Sequence, residues 1–193
     1  SLSTGIITRV YRNDNGTFVN TNQNLINVNS GDIKWVDINK DGYLDLLYTG
    51  IGSVAAETFV GRKTLLYLNN RNGGFILADN LNLAQLSSSK LGFGDLDNDG
   101  DLDIITNNIN DKSFLYENLS KHVEHQNDYL QIKLNGPKGN LNAIGAKVWI
   151  ELKEGRIVAQ KFPVRGFQSS MEIPLQVGIG DKRNIKKIYL IWP

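Results

Sequence analysis

Apolar residues enter this chain in short runs, separated by stretches rich in asparagine and glycine. That spacing suits a protein of many tight turns and few long helices. Leu46-Leu47-Tyr48 and Ile104-Ile105-Thr106 are two such runs, each preceded by a cluster of acidic residues. Farther along, Leu130–Leu134, Val148–Leu152 and Ile188–Ile191 alternate apolar and polar positions, the period of strands with one buried face. The pattern predicts an all-β protein. No apolar run approaches the roughly eighteen residues of a membrane-spanning helix.

The strand-like segments of the first 120 residues repeat. Tyr-x-Asn occurs as Tyr11-Arg12-Asn13, Tyr67-Leu68-Asn69 and Tyr116-Glu117-Asn118. The first two copies are followed by a turn and an aromatic residue, Asn15-Gly16-Thr17-Phe18 and Asn72-Gly73-Gly74-Phe75, so each predicts a hairpin with the aromatic in its second strand. Two acidic loops, D-I-N-K-D-G-Y-L-D from Asp37 and D-L-D-N-D-G-D-L-D from Asp95, begin 58 residues apart. A period of about 50–60 residues holding some four short strands is that of a propeller blade, not of a helical solenoid.

The loops carry the candidate chemistry. A cation of calcium's size takes six to eight oxygen ligands, and alternate residues of a tightly wound loop can aim side chains at one centre. Positions 1, 3 and 5 are Asp37, Asn39 and Asp41 in one loop, and Asp95, Asp97 and Asp99 in the other. Gly42 and Gly100 follow, where the backbone must reverse. Position 7, Tyr43 or Asp101, offers a carbonyl, and position 9, Asp45 or Asp103, a closing carboxylate. The pattern ends earlier than an EF-hand, whose bidentate Glu at position 12 is replaced here by Tyr48 and Thr106. Asp, Asn and Gly favour turns without any metal, an alternative that accounts tolerably for one loop and poorly for two. Calcium at two sites is the expectation, and magnesium fits less well because it demands near-octahedral geometry and keeps its waters.

These residues resemble a known family. D-x-[DN]-x-D-G-x-x-D between strands, with a Tyr-x-Asn hairpin, is similar to the FG-GAP or VCBS repeat over residues 1–120. The resemblance implies blades of a β-propeller like that of integrin α-chains, with calcium in the loops. The Phe-Gly element is present as Phe93-Gly94 but replaced by Trp35-Val36 in the first copy.

Residues 127–193 resemble the ASPIC/UnbV domain, through Leu130–Leu134 with Gly136, Asn142–Val148, Arg165–Ser170, Val177-Gly178-Ile179-Gly180 and Ile188–Pro193. A partial propeller, a linker at 121–126 and a small C-terminal β-sandwich or barrel-like module are therefore expected. Such propellers have about seven blades, so the chain is expected to be a fragment of a larger protein.

Charge supports two modules. Residues 1–125 hold 15 acidic and 10 basic side chains, and residues 126–193 hold 5 and 11. The basic half is dispersed along strand-like segments rather than clustered with aromatics, which argues against nucleic acid as a partner. Cysteine is absent, leaving neither disulfides nor thiolate metal sites. His122 and His125, alone in the linker, make a poor zinc site, and the Gly50–Ala55 string lacks the acidic partner of a dinucleotide fingerprint. Trp149 and Trp192 are expected in the core, and Arg165–Ser170 is the stretch expected to line a groove.

No triad is discernible, and the paired carboxylates aim at one ion rather than across a sugar. The function expected is a calcium-binding, non-catalytic interaction module, with a protein or carbohydrate ligand, of a secreted or cell-envelope protein. Weak loop sites fill where calcium is near millimolar, outside the cytoplasm. The alternative is an accessory region of a carbohydrate-active or biosynthetic enzyme whose active site lies elsewhere.

Overall fold

The computed structural model describes residues 5–55, 58–79, 81–119, 127–153, 155–166, 169–170, 174–181 and 185–193. Every helix or strand element among them is a strand, so the chain is all-β, built of several small sheets, none of them closed. No helix among the described residues is long and apolar enough to cross a membrane. The expected linker, with His122 and His125, lies outside the described residues.

Two compact units divide the chain. The first holds Ser1–Val36, Leu44–Gly94 and Asp103–Asn118, and the second holds Asp37–Tyr43, Asp95–Leu102 and Leu119–Pro193. Most of both acidic loops therefore groups with the C-terminal residues, although the strands flanking each loop belong to the first unit.

In the first unit, β1 (Tyr11–Asp14) and β2 (Thr17–Asn20) form a hairpin whose two-residue turn has positive φ at Asn15 (53°) and Gly16 (95°). Those angles match the right-handed twist of the flanking strands, which is why Asn-Gly stands there. β3 (Asn27–Asn29) and β4 (Ile33–Val36) both pair with the long β5 (Asp45–Ala55), β3 near Gly52 and β4 near Leu46. β5 continues to β6 (Thr58–Asn69) and β7 (Phe75–Leu77), so β4 to β7 run as an antiparallel meander. The turn before Phe75 is longer than the first, with positive φ at Arg71 and Gly73. A second meander, β8 (Ser89–Gly94), β9 (Asp103–Asn108) and β10 (Phe114–Tyr116), repeats the β4 to β6 part of the first.

The core of the first unit gathers Leu25, Leu46, Tyr48, Leu65 and Tyr67. Tyr48 and Tyr67 stack with ring centroids 5.7 Å apart. Their hydroxyls find partners on one residue: Tyr48 donates to the Ile26 carbonyl (2.9 Å), and Tyr67 accepts the Ile26 N–H (3.1 Å). Burial pushes the Tyr48 phenol well above its ordinary pKa, so it remains a neutral donor. Gly50–Ala55, the dinucleotide-like string, is the far half of β5.

In the second unit, β11 (Asp128–Ile132) pairs with β16 (Leu175–Gly180), and β12 (Lys147–Leu152) lies between β13 (Arg156–Gln160) and β17 (Ile185–Ile191). β14 (Val164–Gly166) and β15 (Ser169–Ser170) form a small ribbon. Val148 and Ile150 of β12 pack with Leu175, Val177 and Ile179 of β16, with Leu130 and Ile132 of β11 against them, so two small sheets share one core. The strand pleat that turns Val148 and Ile150 inward turns Trp149 outward. Arg156 covers the Trp149 ring at 4.2 Å, and Trp192, beyond β17, is 46% exposed, so neither tryptophan is a core residue.

Candidate metal centre

Both acidic loops follow one hydrogen-bonding scheme. The position 5 amide donates to position 3: Asp41 N–H to Asn39 Oδ1 (3.1 Å), and Asp99 N–H to Asp97 Oδ1 (3.1 Å). The position 6 glycine donates to position 1: Gly42 to Asp37 Oδ2 (3.0 Å), and Gly100 to Asp95 Oδ2 (3.2 Å). Position 7 donates to position 5: Tyr43 to Asp41 Oδ1 (2.9 Å), and Asp101 to Asp99 Oδ1 (3.0 Å). Short side chains thus hold the loop through their own backbone, a habit of Asp and Asn. The winding needs left-handed residues at positions 4 and 6: Lys40 (φ 59°) and Gly42 (85°), then Asn98 (61°) and Gly100 (90°).

This winding turns positions 1, 3 and 5 to a common centre. In the second loop one oxygen each of Asp95, Asp97 and Asp99 lies within 4.8 Å of the others. In the first loop Asp37 Oδ1 and Asn39 Oδ1 both accept the Asp41 amide, at 3.0 and 3.1 Å, which brings two candidate ligand oxygens to one amide. Asp95 Oδ1 is buried and has no hydrogen-bond partner among the described residues. A buried hard oxygen acceptor beside two further carboxylates is a donor set that fits a divalent cation of calcium's kind. Asp41 is buried and Asp37, Asn39, Asp95 and Asp99 partly so, while Asp97 is exposed.

Position 9 has a structural role of its own. Asp45 opens β5 and Asp103 opens β9, both buried. Asp45 Oδ1 accepts the Asn69 N–H (2.8 Å), and Asp103 Oδ1 accepts the Asn118 N–H (2.9 Å). These donors are the asparagines of the second and third Tyr-x-Asn motifs. At position 7 the Tyr43 side chain is exposed, whereas Asp101 is fully buried with its carboxylate 3.8 Å from the Lys40 ammonium.

Within the second unit the loops lie against β11 and β16. The Lys40 carbonyl accepts the Gly180 N–H (2.9 Å), and the Asn39 carbonyl accepts the Asn127 side-chain amide (2.9 Å). A Cβ on Gly178 would stand 2.0 Å from Asp37 Oδ2, and one on Gly100 would stand 1.9 Å from the Tyr129 ring. Tyr129 and Gly178 are themselves paired across β11 and β16. The Lys40 ammonium lies 5.7 Å from the centre of the Tyr129 ring.

Lys40, Asn127, Tyr129 and Gly178 were not legible as site residues, because none belongs to the alternating acidic pattern. The one available signal was the Val177-Gly178-Ile179-Gly180 string, where a glycine inside a strand marks close approach of another backbone. Around Arg165–Ser170, Phe167 and Gln168 lie outside the described residues, as do the side chains of the remaining four.

Residues 136–193 match the family model described as ASPIC and UnbV. The match covers β12 to β17 and leaves out β11 and both acidic loops. None of the curated proteins matches the chain.

Proposed function

We propose that the chain is a calcium-binding, non-catalytic interaction module. One ion is held by Asp37, Asn39 and Asp41 with the Tyr43 carbonyl, and a second by Asp95, Asp97 and Asp99 with the Asp101 carbonyl. Asp45 and Asp103 complete the sequence pattern as the ninth-position carboxylates. Calcium supplies the positive charge that lets these carboxylates share a centre. The observation that carries the reading is the convergence of three carboxylates within 4.8 Å in a loop already wound by its own amides.

The repeat reading as FG-GAP-type blades, and placement of the protein outside the cytoplasm, rest on the same loops, since sites of this weak class fill near millimolar calcium. The match of residues 136–193 to a domain family supports reading this part of the chain as an accessory domain of a larger protein. Its ligand is proposed to be a protein or a carbohydrate.

Thermal melting with calcium and with chelator tests the metal claim. An ion bound only by the native state raises the melting temperature with concentration, about 2.7 kcal/mol of stabilisation at one hundred times Kd. Identical curves in the two buffers refute it.

A further inference from the structure

We propose that the paired strands β11 and β16 are part of the metal sites, with Gly178 and Asn127 positioning the first loop and Tyr129 the second. The inference rests on the calcium reading and extends it: ion affinity is set partly by residues of the C-terminal sandwich.

Four observations converge. Gly178 leaves the space that Asp37 Oδ2 occupies, so any side chain there displaces the position 1 ligand. The carbonyls of Asn39 and Lys40, either side of the turn, are each tied to this sheet edge, one by the Asn127 amide and one by the Gly180 N–H. The Tyr129 ring fills the space over Gly100, the residue whose N–H orients Asp95. Lys40 is left-handed, a conformation that costs a non-glycine residue on the order of 1–3 kcal/mol and persists where surroundings hold it. Here they do, since the residue is buried and its side chain reaches Asp101 of the other loop.

Groups that orient metal ligands without touching the metal typically change affinity 10–100-fold when removed. Asp37 is the ligand oriented by Gly178, and the Asn39 peptide is the one oriented by Asn127. Neither residue carries a charge, so loss of affinity on substitution reports geometry rather than electrostatics.

The test is calorimetric titration of the whole 193-residue chain with calcium, alongside melting in chelator. Gly178→Ala is expected to weaken one of two sites about tenfold or more. Asn127→Ala, which removes one hydrogen bond and leaves the strand intact, is expected to weaken the same site several-fold, with little change in chelator. A merely structural role for Asn127 would lower the chelator melt and leave affinity alone.

For the second loop, tyrosine-sensitised terbium emission is expected to fall in Tyr129→Phe, which keeps the ring in place. Wild-type affinity in both Gly178→Ala and Asn127→Ala, or undiminished emission in Tyr129→Phe, overturns the inference. Should Gly178→Ala fail to fold, Asn127→Ala decides the first loop. A wild-type chain that takes up no calcium overturns the calcium reading itself, an outcome distinct from variants that bind as wild type does.

Discussion

Asp97→Asn separates a metal ligand from a turn former, because the first loop already carries Asn39 at the equivalent position. Asn39 Oδ1 accepts the position 5 amide at the same 3.1 Å as Asp97 Oδ1, so asparagine at 97 preserves the turn and removes one charge. The charge removed faces two carboxylates, with ligand oxygens no more than 4.8 Å apart. Two unit charges at that separation repel by about 0.9 kcal/mol in water and about 3.5 kcal/mol at an effective dielectric of 20. Asp97 is exposed, so the aqueous end applies, about 2 kcal/mol for the two pairs together. The separation is shorter than the roughly 10 Å Debye length at 0.1 M salt, so screening does not abolish the effect.

In chelator, Asp97→Asn should therefore melt about 4–8 °C above wild type, taking about 2–4 °C per kcal/mol for a chain of this size. In calcium the order of effects turns round. Each tenfold loss of affinity removes about 1.4 kcal/mol of the ion's stabilisation, so the calcium-induced rise in melting temperature must shrink. Differential scanning calorimetry in the two buffers reads both quantities. A variant that melts lower than wild type in chelator, or one whose calcium increment is undiminished, would show that these carboxylates are turn residues with no ion between them.

Two further outcomes concern the first unit. Asp45→Ala should destabilise even in chelator, by about 1–3 kcal/mol, since it strands the Asn69 N–H in a buried site, while Asp45→Asn keeps an acceptor and loses less; urea unfolding measures both. Tyr48→Phe removes the donor to the Ile26 carbonyl but keeps the stacked ring, so a loss of about 1 kcal/mol at unchanged m-value is expected, and no loss would mean the Ile26 carbonyl is otherwise satisfied.

The strands were legible because alternation and turn residues are local. Asn15-Gly16 specifies its hairpin with two residues, and the alternating runs around Leu130, Val148 and Ile188 fall in β11, β12 and β17. The loops were legible for the same reason: positions 1, 3, 5 and 6 interact chiefly with one another. What was illegible depends on distant partners. Lys40 reads as a solvated lysine between two candidate ligands, Asn39 and Asp41, and only the fold brings it to Asp101, 61 residues on. Trp149 misled because size suggested burial, whereas the pleat gave the inward positions to its smaller neighbours Val148 and Ile150. Arg156 then covers the half-buried ring, which lowers the cost of leaving it outside the core.

The repeat also separates two kinds of acidic residue that the nine-residue pattern treats alike. Tyr67 and Tyr116 each accept a backbone N–H through the hydroxyl, from Ile26 and Ala84, and the asparagines two residues on donate to Asp45 and Asp103. These two Tyr-x-Asn motifs thus close part-buried backbone hydrogen bonds that would otherwise be unmet, a requirement that exists with or without an ion. An acceptor at position 9 follows from that requirement alone, so Asp45 and Asp103 are weaker evidence for metal than the carboxylates of positions 1, 3 and 5. Positions 3 and 5 differ in kind: their turns need only one acceptor each, and Asn39 shows that an amide serves. Charged residues gathered at positions 1, 3 and 5 of the second loop exceed what the turn demands, and that excess negative charge is what the proposed calcium would balance.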